Sequence, residues 1–300
     1  MQKKHRAATE AWTLCAKMRN HNGSDRYFAV FFLTGKFFLF SGNFTHYSSL
    51  AMPSGKYNHE SKTLLPPLVT VKHDYSTLNE RLGKNAIIAD NDSTTIHITA
   101  CFKHLKSRFF LSKNKTHFSF RDVMTNDYSK RKFDWYLIPR CSVCVCLTGS
   151  HPDTVYGSGH FQQFWGKGGE SNCDWFVVHT ESGYDLIIAC FPEERQRCPW
   201  LPGDYVMLCP PDGSFTKITR FDVTPLKWWT GRSSQKKYPL RYAVTIPDEE
   251  IDLTITSCKE DQTTTIGGRE YWYGFGSVSG TIRKEQQSGW AYLAPLGSPK

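Results

Sequence analysis

Hydrophobic and polar residues alternate along most of this 300-residue chain with a period of two, which is the repeat of a β-strand. Residues 96–102 alternate in this way, and residues 175–179 do so before a turn at 181–183. Late in the chain, residues 242–246 and 251–255 flank a Pro-Asp-Glu-Glu segment in the pattern of a hairpin. Sustained helical periodicity is almost absent, so the pattern predicts an all-β protein.

Two stretches interrupt the alternation. Residues 76–82 are the one good helix candidate, with Gly83 as its C-terminal cap. Residues 53–72 contain three prolines and predict an irregular excursion between strands.

The length of the chain favours two packed domains, because 300 residues exceed the usual size of one compact core. The predicted boundary lies in residues 121–140, which are rich in Asp, Lys and Arg and contain Pro139. We therefore expect a short tail followed by two β domains, over residues 1–9, 10–138 and 139–300.

The formal net charge of +9 raises the question of a phosphate-rich partner. The basic residues are scattered, and their densest runs, at 3–6 and 130–132, are short enough to be a solvated tail and a solvated loop. No groove-reading helix or base-stacking motif accompanies them, so we expect no nucleic-acid partner.

Apolar residues form no run of the ~20 that a membrane span requires. The N-terminus is charged but lacks the apolar segment of a signal peptide, so a cytoplasmic location is expected for the sequence as it stands. Four glycosylation acceptor patterns, beginning at Asn22, Asn43, Asn91 and Asn114, leave the secretory pathway open if a leader has been removed.

The ten cysteines include one cluster, Cys141, Cys144 and Cys146, whose spacing could hold a metal ion. Alternation through this segment predicts a strand, however, with Cys144 and Cys146 on one face. No second Cys or His pair with ligand spacing lies near enough in the sequence to complete a tetrahedral site. We therefore expect no metal.

The densest concentration of unusual residues lies in segment 157–166, where glycines surround imidazole, amide and aromatic side chains. An apolar wall with a few placed hydrogen-bond donors suits a ligand pocket, and a β-bulge with core aromatics explains the segment equally well. The side chains concerned are His160, Phe161, Gln162, Gln163 and Trp165.

Further aromatic residues cluster late in the chain, at Trp228, Trp229 and Tyr238 and again at Trp272 and Tyr273. Aromatic walls can hold a polyene or stabilise positive charge, although a packed core uses the same residues. Adjacent residues on a strand face opposite sides, so we expect one tryptophan of the 228–229 pair to line a given cavity.

The order of these motifs resembles the AttH and carotenoid 1,2-hydratase family, which includes fungal kievitone hydratase and lipocalin-like Diels–Alderases. The resemblance runs from Glu10-Ala-Trp12, similar to the opening E-W-W strand of the family, through segment 159–166, similar to its G-Y-x-D-H-x-W-G signature. It continues through Asp174-Trp175-Phe176 to the segment at Trp272. The resemblance implies two lipocalin-like β-barrel or β-sandwich domains in tandem, with a ligand pocket at or near their interface and no metal or organic cofactor.

The sequence departs from the family pattern at two places. Gln162-Gln163 stands where the signature has Asp-His, and Tyr273 stands where the family has Glu in Y-W-E-G. Hydration of an alkene needs a proton donor, which glutamine cannot supply. Asp174 and Asp261 remain as possible acids, although each is better explained as a turn or strand-edge carboxylate.

These departures favour a cofactor-independent cyclase of the Diels–Alder or hetero-Diels–Alder type, since a pericyclase needs a mould and neutral donors but no proton transfer. Its small hydrophobic substrate would be a polyene or a quinone-methide-like intermediate of a specialised pathway. The alternatives are a hydratase or isomerase of an isoprenoid or phenolic substrate, and a non-catalytic carrier of a lipid or pigment. The predicted catalytic residues are Gln162, Gln163, His160, Tyr273 and Asp174, and the predicted substrate-binding residues are Trp12, Phe161, Trp165, Trp175, Trp228, Trp229, Tyr238 and Trp272.

Overall fold

The structure is a computed structural model, and all structural statements below concern the residues that it describes. These are residues 9–37, 40–64, 71–73, 78–89, 95–103, 106–119, 133–148, 152–166, 173–191, 203–232, 234–266 and 269–295. The regular secondary structure of these residues is β-strand, apart from one 3₁₀ turn at Pro247–Glu249. The predicted all-β class is confirmed.

The strands fall into two compact units, each described here by itself. The first unit contains β1 (Thr9–Arg19), β2 (Asp25–Phe37), β3 (Phe40–Ala51), β4 (Lys56–Leu64), β5 (Val71–His73), β6 (Asn79–Leu82), β7 (Asn85–Ala89), β8 (Thr95–Cys101), β9 (Lys106–Lys113), β10 (Phe118–Ser119), β11 (Phe133–Leu147) and β12 (Asp153–Gly166). The second contains β13 (Asp174–Thr180), β14 (Asp185–Cys190), β15 (Tyr205–Cys209), β16 (Thr216–Ile218), β17 (Asp222–Thr230), β18 (Lys237–Ile246), β19 (Ile251–Ser257), β20 (Thr263–Ile266), β21 (Arg269–Trp272), β22 (Gly274–Ile282) and β23 (Glu285–Pro295).

The first unit is one antiparallel sheet in the order β4-β3-β2-β1-β12-β11-β9-β8-β7-β6-β5, with β10 added beside β11. The even-numbered residues of β1, from Trp12 to Met18, join Phe28, Val30 and Phe32 of β2 in its buried apolar cluster. Period-two alternation places the odd-numbered residues of both strands on the opposite face. The sheet therefore has one core face, defined by this cluster.

The second unit is built in the same way from the sheet β16-β15-β14-β13-β23-β22-β19-β18-β17, while β20 and β21 pair separately. Its core cluster takes Phe176 and Val178 from β13 and Leu293 from β23. The predicted hairpin is confirmed as β18 and β19, joined by the 3₁₀ turn.

The division between the units differs from the predicted one. The expected boundary between residues 138 and 139 falls inside β11, which pairs with β9 and β12 of the first unit. The first unit therefore extends through β12, and the second begins its described sheet at β13. Part of the segment predicted as a linker, residues 121–132, lies outside the described residues.

The predicted helix over 76–82 is wrong for the residues that are described. Asn79–Leu82 is strand β6, which turns at Gly83 and pairs with β7. Its alternating burial places Glu80 and Leu82 inside, because ladder hydrogen bonds and packing outweigh the weak local preference for helix. The excursion predicted over 53–72 likewise contains strand β4.

A pair of glycines marks the same position in both units. Gly159 of β12 lies opposite Ala16, and Gly289 of β23 lies opposite Thr180. A Cβ atom on Gly159 would lie 2.2 Å from the carbonyl oxygen of Cys15, and one on Gly289 would lie 2.1 Å from that of His179. The last strand of each unit therefore approaches the first one so closely that only glycine fits.

We expect Gly159→Ala and Gly289→Ala each to destabilise the protein by about 3 kcal/mol or more, because the clashing partner is backbone and cannot rotate away. Urea unfolding followed by far-ultraviolet circular dichroism measures the change. Ser158→Ala, on the same strand as Gly159, is the matched control and should leave the midpoint nearly unchanged. A wild-type midpoint for both glycine variants would contradict the close approach.

Candidate functional site

Strand β12 separates the predicted catalytic residues onto two faces. Gln163 lies opposite Trp12 and shares the core face with Phe161, which belongs to the core cluster of the first unit. Gln162 and His160 point to the opposite face, because adjacent side chains on a strand alternate. The structure therefore does not bring Gln162 and Gln163 together.

The central feature of the core face is a buried carboxyl group, that of Glu10. Glu10 and Gln163 are each 1% exposed. The amide Nε2 of Gln163 donates a hydrogen bond of 2.6 Å to Oε1 of Glu10. Trp165 lies directly opposite Glu10, and its ring packs partly buried against the core cluster. A carboxyl group thus sits among aromatic side chains at one end of the sheet interior.

Other polar side chains surround this pair. Thr34 lies opposite Glu10 on β2, and Tyr136 lies opposite Gln163 on β11, and both are buried. The exposed ring of His117 stands 4.6 Å from the ring of Tyr136. Because His117 is exposed, this contact places Tyr136, and with it the Glu10–Gln163 pair, close to the surface of the first unit.

The opposite face of the first sheet carries buried imidazole, amide and thiol groups. His160 is fully buried there, and Gln162 is 5% exposed. Burial and the nearby His59 lower the pKa of His46 on this face to about 3, so its imidazole is uncharged. Burial raises the pKa of the Cys15 thiol, which lies opposite His160. The His46 imidazole and the Cys15 thiol of this face are therefore uncharged at ordinary pH.

In the second unit, Asp174 lies on the core face with Phe176. The ring of Phe176 lies 4.7 Å from that of Tyr242. Burial raises the pKa of the Tyr242 phenol well above its usual value, and the Asp174 carboxylate and the Cys190 thiol raise it further. Asp174, Cys190 and Tyr242 therefore form a second buried polar group, with the phenol protonated.

Glu10 and Asp174 occupy equivalent positions in the two units. Each lies at the start of a strand, β1 or β13, that pairs with both the next strand and the last strand of its unit. A close-contact glycine, Gly159 or Gly289, lies opposite the residue six positions after the carboxylate, and Gly157 approaches β1 equally closely two residues before Gly159. Glu10 and Asp174 therefore each enter the core near the start of a corresponding strand, and Glu80 of β6 is a further buried carboxyl group in the first unit.

The predicted aromatic residues of the second unit are also divided between faces. Trp175 is buried on the face opposite Phe176, and Trp228 is 36% exposed on the edge strand β17. Trp229 packs against the core, with its ring 6.2 Å from that of Tyr238.

The 272–273 segment ends strand β21, and Trp272 packs in the core cluster of the second unit. Trp272 is 1% exposed and donates its indole N–H to the carbonyl oxygen of Glu260 at 2.7 Å. The ring of Tyr273 stacks 5.7 Å from that of Tyr271. Asp261, considered as an acid from the sequence, accepts hydrogen bonds from the backbone N–H and the hydroxyl of Thr263, as a turn carboxylate does.

A buried His–Asp pair that the sequence did not point to lies on the non-core face of the second sheet. Nδ1 of His179 lies 2.7 Å from Oδ1 of Asp185, and the two side chains are 1% and 0% exposed. The imidazole stacks on Trp290 with ring centres 4.4 Å apart. The carboxylate thereby fixes the orientation of the ring.

Across the part of the chain that the structure describes, no group of three or more His, Cys, Asp or Glu side chains is placed to hold a metal ion. The described residues also include no helix long and apolar enough to cross a membrane. The Cys141-Cys144-Cys146 cluster is divided by the sheet, because Cys141 belongs to the core cluster and the other two point away from it.

The sequence pattern did not single out Glu10 as a candidate functional residue, although the segment that contains it was noted. The available signal was alternation, which places Glu10 on the same strand face as Trp12 and Leu14. Its partner Gln163 lies 153 residues away in the sequence, so the hydrogen bond between them could not be inferred.

The fold and these sites define a two-domain lipocalin-like β protein, as predicted. The chain belongs to the AttH-like family, whose model matches residues 127–296, more than half of its length. No curated protein sequence matches it.

Two solved structures show the same fold. A Nitrosomonas europaea protein designated an AttH is 16% identical, with a TM-score of 0.76, and the match covers 98% of this chain and 94% of that one. Kievitone hydratase from Nectria haematococca is 14% identical, with a TM-score of 0.74, covering 95% and 88%. At these identities the similarity establishes the architecture of the chain.

Replacing Asp185 with Ala should destabilise the protein by about 3 kcal/mol or more, since it removes the buried carboxylate that pairs with His179. Equilibrium urea unfolding measures the loss. Lys227→Ala, which breaks the exposed pair with Glu260, is the control and should have little effect. Equal stability of the two variants would show that the buried pair contributes nothing.

Proposed function

We propose that this chain is an enzyme that adds water to, removes water from, or shifts a carbon–carbon double bond in a small hydrophobic molecule. The observation that carries the proposal is the buried carboxyl group of Glu10, held by Gln163 on the core face of the first unit. The 159–166 segment lacks the Asp of the family signature, and hydration needs an acid. Glu10 supplies an acid beside that signature, from a different strand.

The chemistry begins with transfer of a proton to one carbon of the double bond, which leaves a carbocation on the other. Glu10 is the proposed donor, since a carboxyl group is the usual strong acid for such a step. Trp12 and Trp165 would stabilise the cation through the negative faces of their rings. Water then adds to the cation and gives a proton back to the Glu10 carboxylate, which completes hydration, and the reverse sequence removes water. Alternatively, a carbon next to the cation gives a proton to that carboxylate, which completes isomerisation.

Gln163 is proposed as a positioning residue. Its amide N–H bonds one carboxyl oxygen of Glu10 and thereby fixes the plane of the group that transfers the proton. Asp174 offers an equivalent acid in the second unit, near the protonated phenol of Tyr242. The name of the structural relative kievitone hydratase states a hydration reaction, which agrees with this class of chemistry.

The second candidate function is the cofactor-independent cyclase of the Diels–Alder type. It is favoured by the non-core face of the first sheet, where His160 and Gln162 lie buried, with Cys15 directly opposite His160 and the neutral His46 farther along the same face. A cycloaddition needs a folded substrate and a polarised carbonyl, and neutral donors can polarise that carbonyl. The two candidate reactions thus use opposite faces of one sheet.

Isotope labelling separates the two reactions. The purified protein is incubated with a metabolite extract of its own organism in ¹⁸O-labelled or deuterated water, and the compounds that change are followed by mass spectrometry. A hydratase incorporates labelled oxygen, and an isomerase incorporates deuterium at carbon. A cyclase yields an isomer without either label, and a carrier returns its ligand unchanged, so these last two results would overturn the favoured proposal.

Glu10→Gln should lower the turnover of the identified substrate at least ~100-fold, because the amide keeps the shape of the carboxyl group and cannot donate its proton in the same way. Asp261→Asn is the matched control, since that carboxylate serves a turn, and it should retain wild-type turnover.

Loss of activity in Gln162→Ala or His160→Ala, with Glu10→Gln fully active, would instead support the cyclase. If Asp174→Asn alone abolished turnover, the acid would be assigned to the second unit. Thermal unfolding of each variant, measured alongside, separates a chemical effect from a failure to fold.

A further inference from the structure

The hairpin formed by β17 and β18 in the second unit is strongly basic. Residues 223–247, which cover most of it, contain five basic residues and no acidic one. All five are exposed, and they are Lys227, Arg232, Lys236, Lys237 and Arg241. The hairpin therefore presents a surface of one sign of charge to solvent.

Two large apolar side chains project from the same hairpin. Leu226 is 51% exposed and Trp228 is 36% exposed, and both belong to the edge strand β17. The register against β18 shifts between Pro225 and Lys227, which makes Leu226 the extra residue of a β-bulge. Exposed apolar side chains that are grouped in this way are typical of a surface that contacts a partner.

The exposed tryptophan lies among the cations on the outer face of the hairpin. Trp229 packs against the core, so Trp228 points to the opposite face. It lies opposite Pro239, whose neighbours on the outer face of β18 are Lys237 and Arg241. An indole ring is therefore flanked diagonally by one lysine and one arginine.

This combination fits an anionic lipid surface better than it fits another protein strand or a nucleic acid. Pro225, Lys227 and the bulge oppose the addition of a strand to the edge of the sheet. A nucleic acid could contact the cations and stack on Trp228, but it offers no apolar layer for Leu226. A lipid surface accepts all three, because headgroups attract cations, indole rings prefer the interface and aliphatic side chains enter the acyl region.

We propose that the β17–β18 hairpin docks this chain on membranes that contain anionic lipids. Leu226 and Trp228 enter the interface, and the basic side chains contact the lipid headgroups. Lys227 also pairs with Glu260 at 3.0 Å, but both side chains are exposed, so solvent screens this pair. Docking gives the chain access to small apolar molecules dissolved in the membrane, which goes beyond the proposed reaction and does not depend on it.

The test is co-sedimentation of the full-length protein with vesicles made of equal parts of phosphatidylcholine and phosphatidylserine. We expect binding that salt weakens, and little binding to phosphatidylcholine alone. The double variant Lys237→Ala with Arg241→Ala should bind at least ~10-fold more weakly, since each cation near an anionic membrane contributes roughly fivefold. The matched control is Lys106→Ala with Arg108→Ala, which removes two exposed cations from β9 and should bind as the wild type does.

The apolar contribution is tested separately. Trp228→Ala should weaken binding to the same vesicles roughly 10-fold, because it removes the ring that enters the interface. Tyr156→Ala, which removes a 65% exposed ring from the first unit, is the control and should have no effect. Thermal unfolding of each variant separates lost docking from a failure to fold.

Hydrogen–deuterium exchange of the wild-type protein maps the contact without any variant. Peptides from residues 222–246 should exchange more slowly on the anionic vesicles, whereas those from β9 should not change. No vesicle binding by the wild type, or equal binding by the two double variants, would overturn the proposal. Binding to an RNA oligonucleotide but not to vesicles would also overturn it and assign the hairpin to nucleic acid. All of these measurements are made without substrate, so their outcome is independent of the proposed enzymatic function.

Discussion

The pairing of the first strand with the last one organises each unit of this protein. β1 pairs with β12 and β13 pairs with β23, and every side chain on these strands is assigned to the core face or to the opposite face by that register. The contact is so close that Gly159 and Gly289 touch backbone atoms of the facing strand. A slip of one residue would turn a whole strand over and move its charged groups between the two faces.

Each unit buries a carboxyl group near the start of its first strand, and this burial costs free energy that apolar packing does not recover. Burying a carboxyl group in an apolar core is unfavourable unless hydrogen bonds compensate for lost hydration. Gln163 provides such a bond to Glu10, and Asp174 lies near the Tyr242 phenol. The same register of acid and glycine in both sheets fits two units of common origin, each with an acidic side chain directed into its interior.

The two faces of the first sheet differ in chemistry, and this difference organises the functional alternatives. The core face combines an acid with aromatic rings, which suits protonation of an alkene. The opposite face includes buried imidazole, amide and thiol groups, which suit polarisation of a carbonyl group. Cys144 and Cys146 also lie on this second face, away from the acid. Strand β12 supplies candidate residues to both faces, with Gln163 on the core face and His160 and Gln162 on the opposite one.

The sequence by itself determined the all-β class, the strands at 175–179 and the hairpin after residue 242, because alternation is a local property that survives without tertiary contacts. Tertiary structure decided what local pattern cannot encode. It made 79–82 a strand through pairing with β7, and it placed the unit boundary after β12. It also joined Glu10 to Gln163 across 153 residues, since only the pairing of distant strands defines which side chains meet inside a sheet.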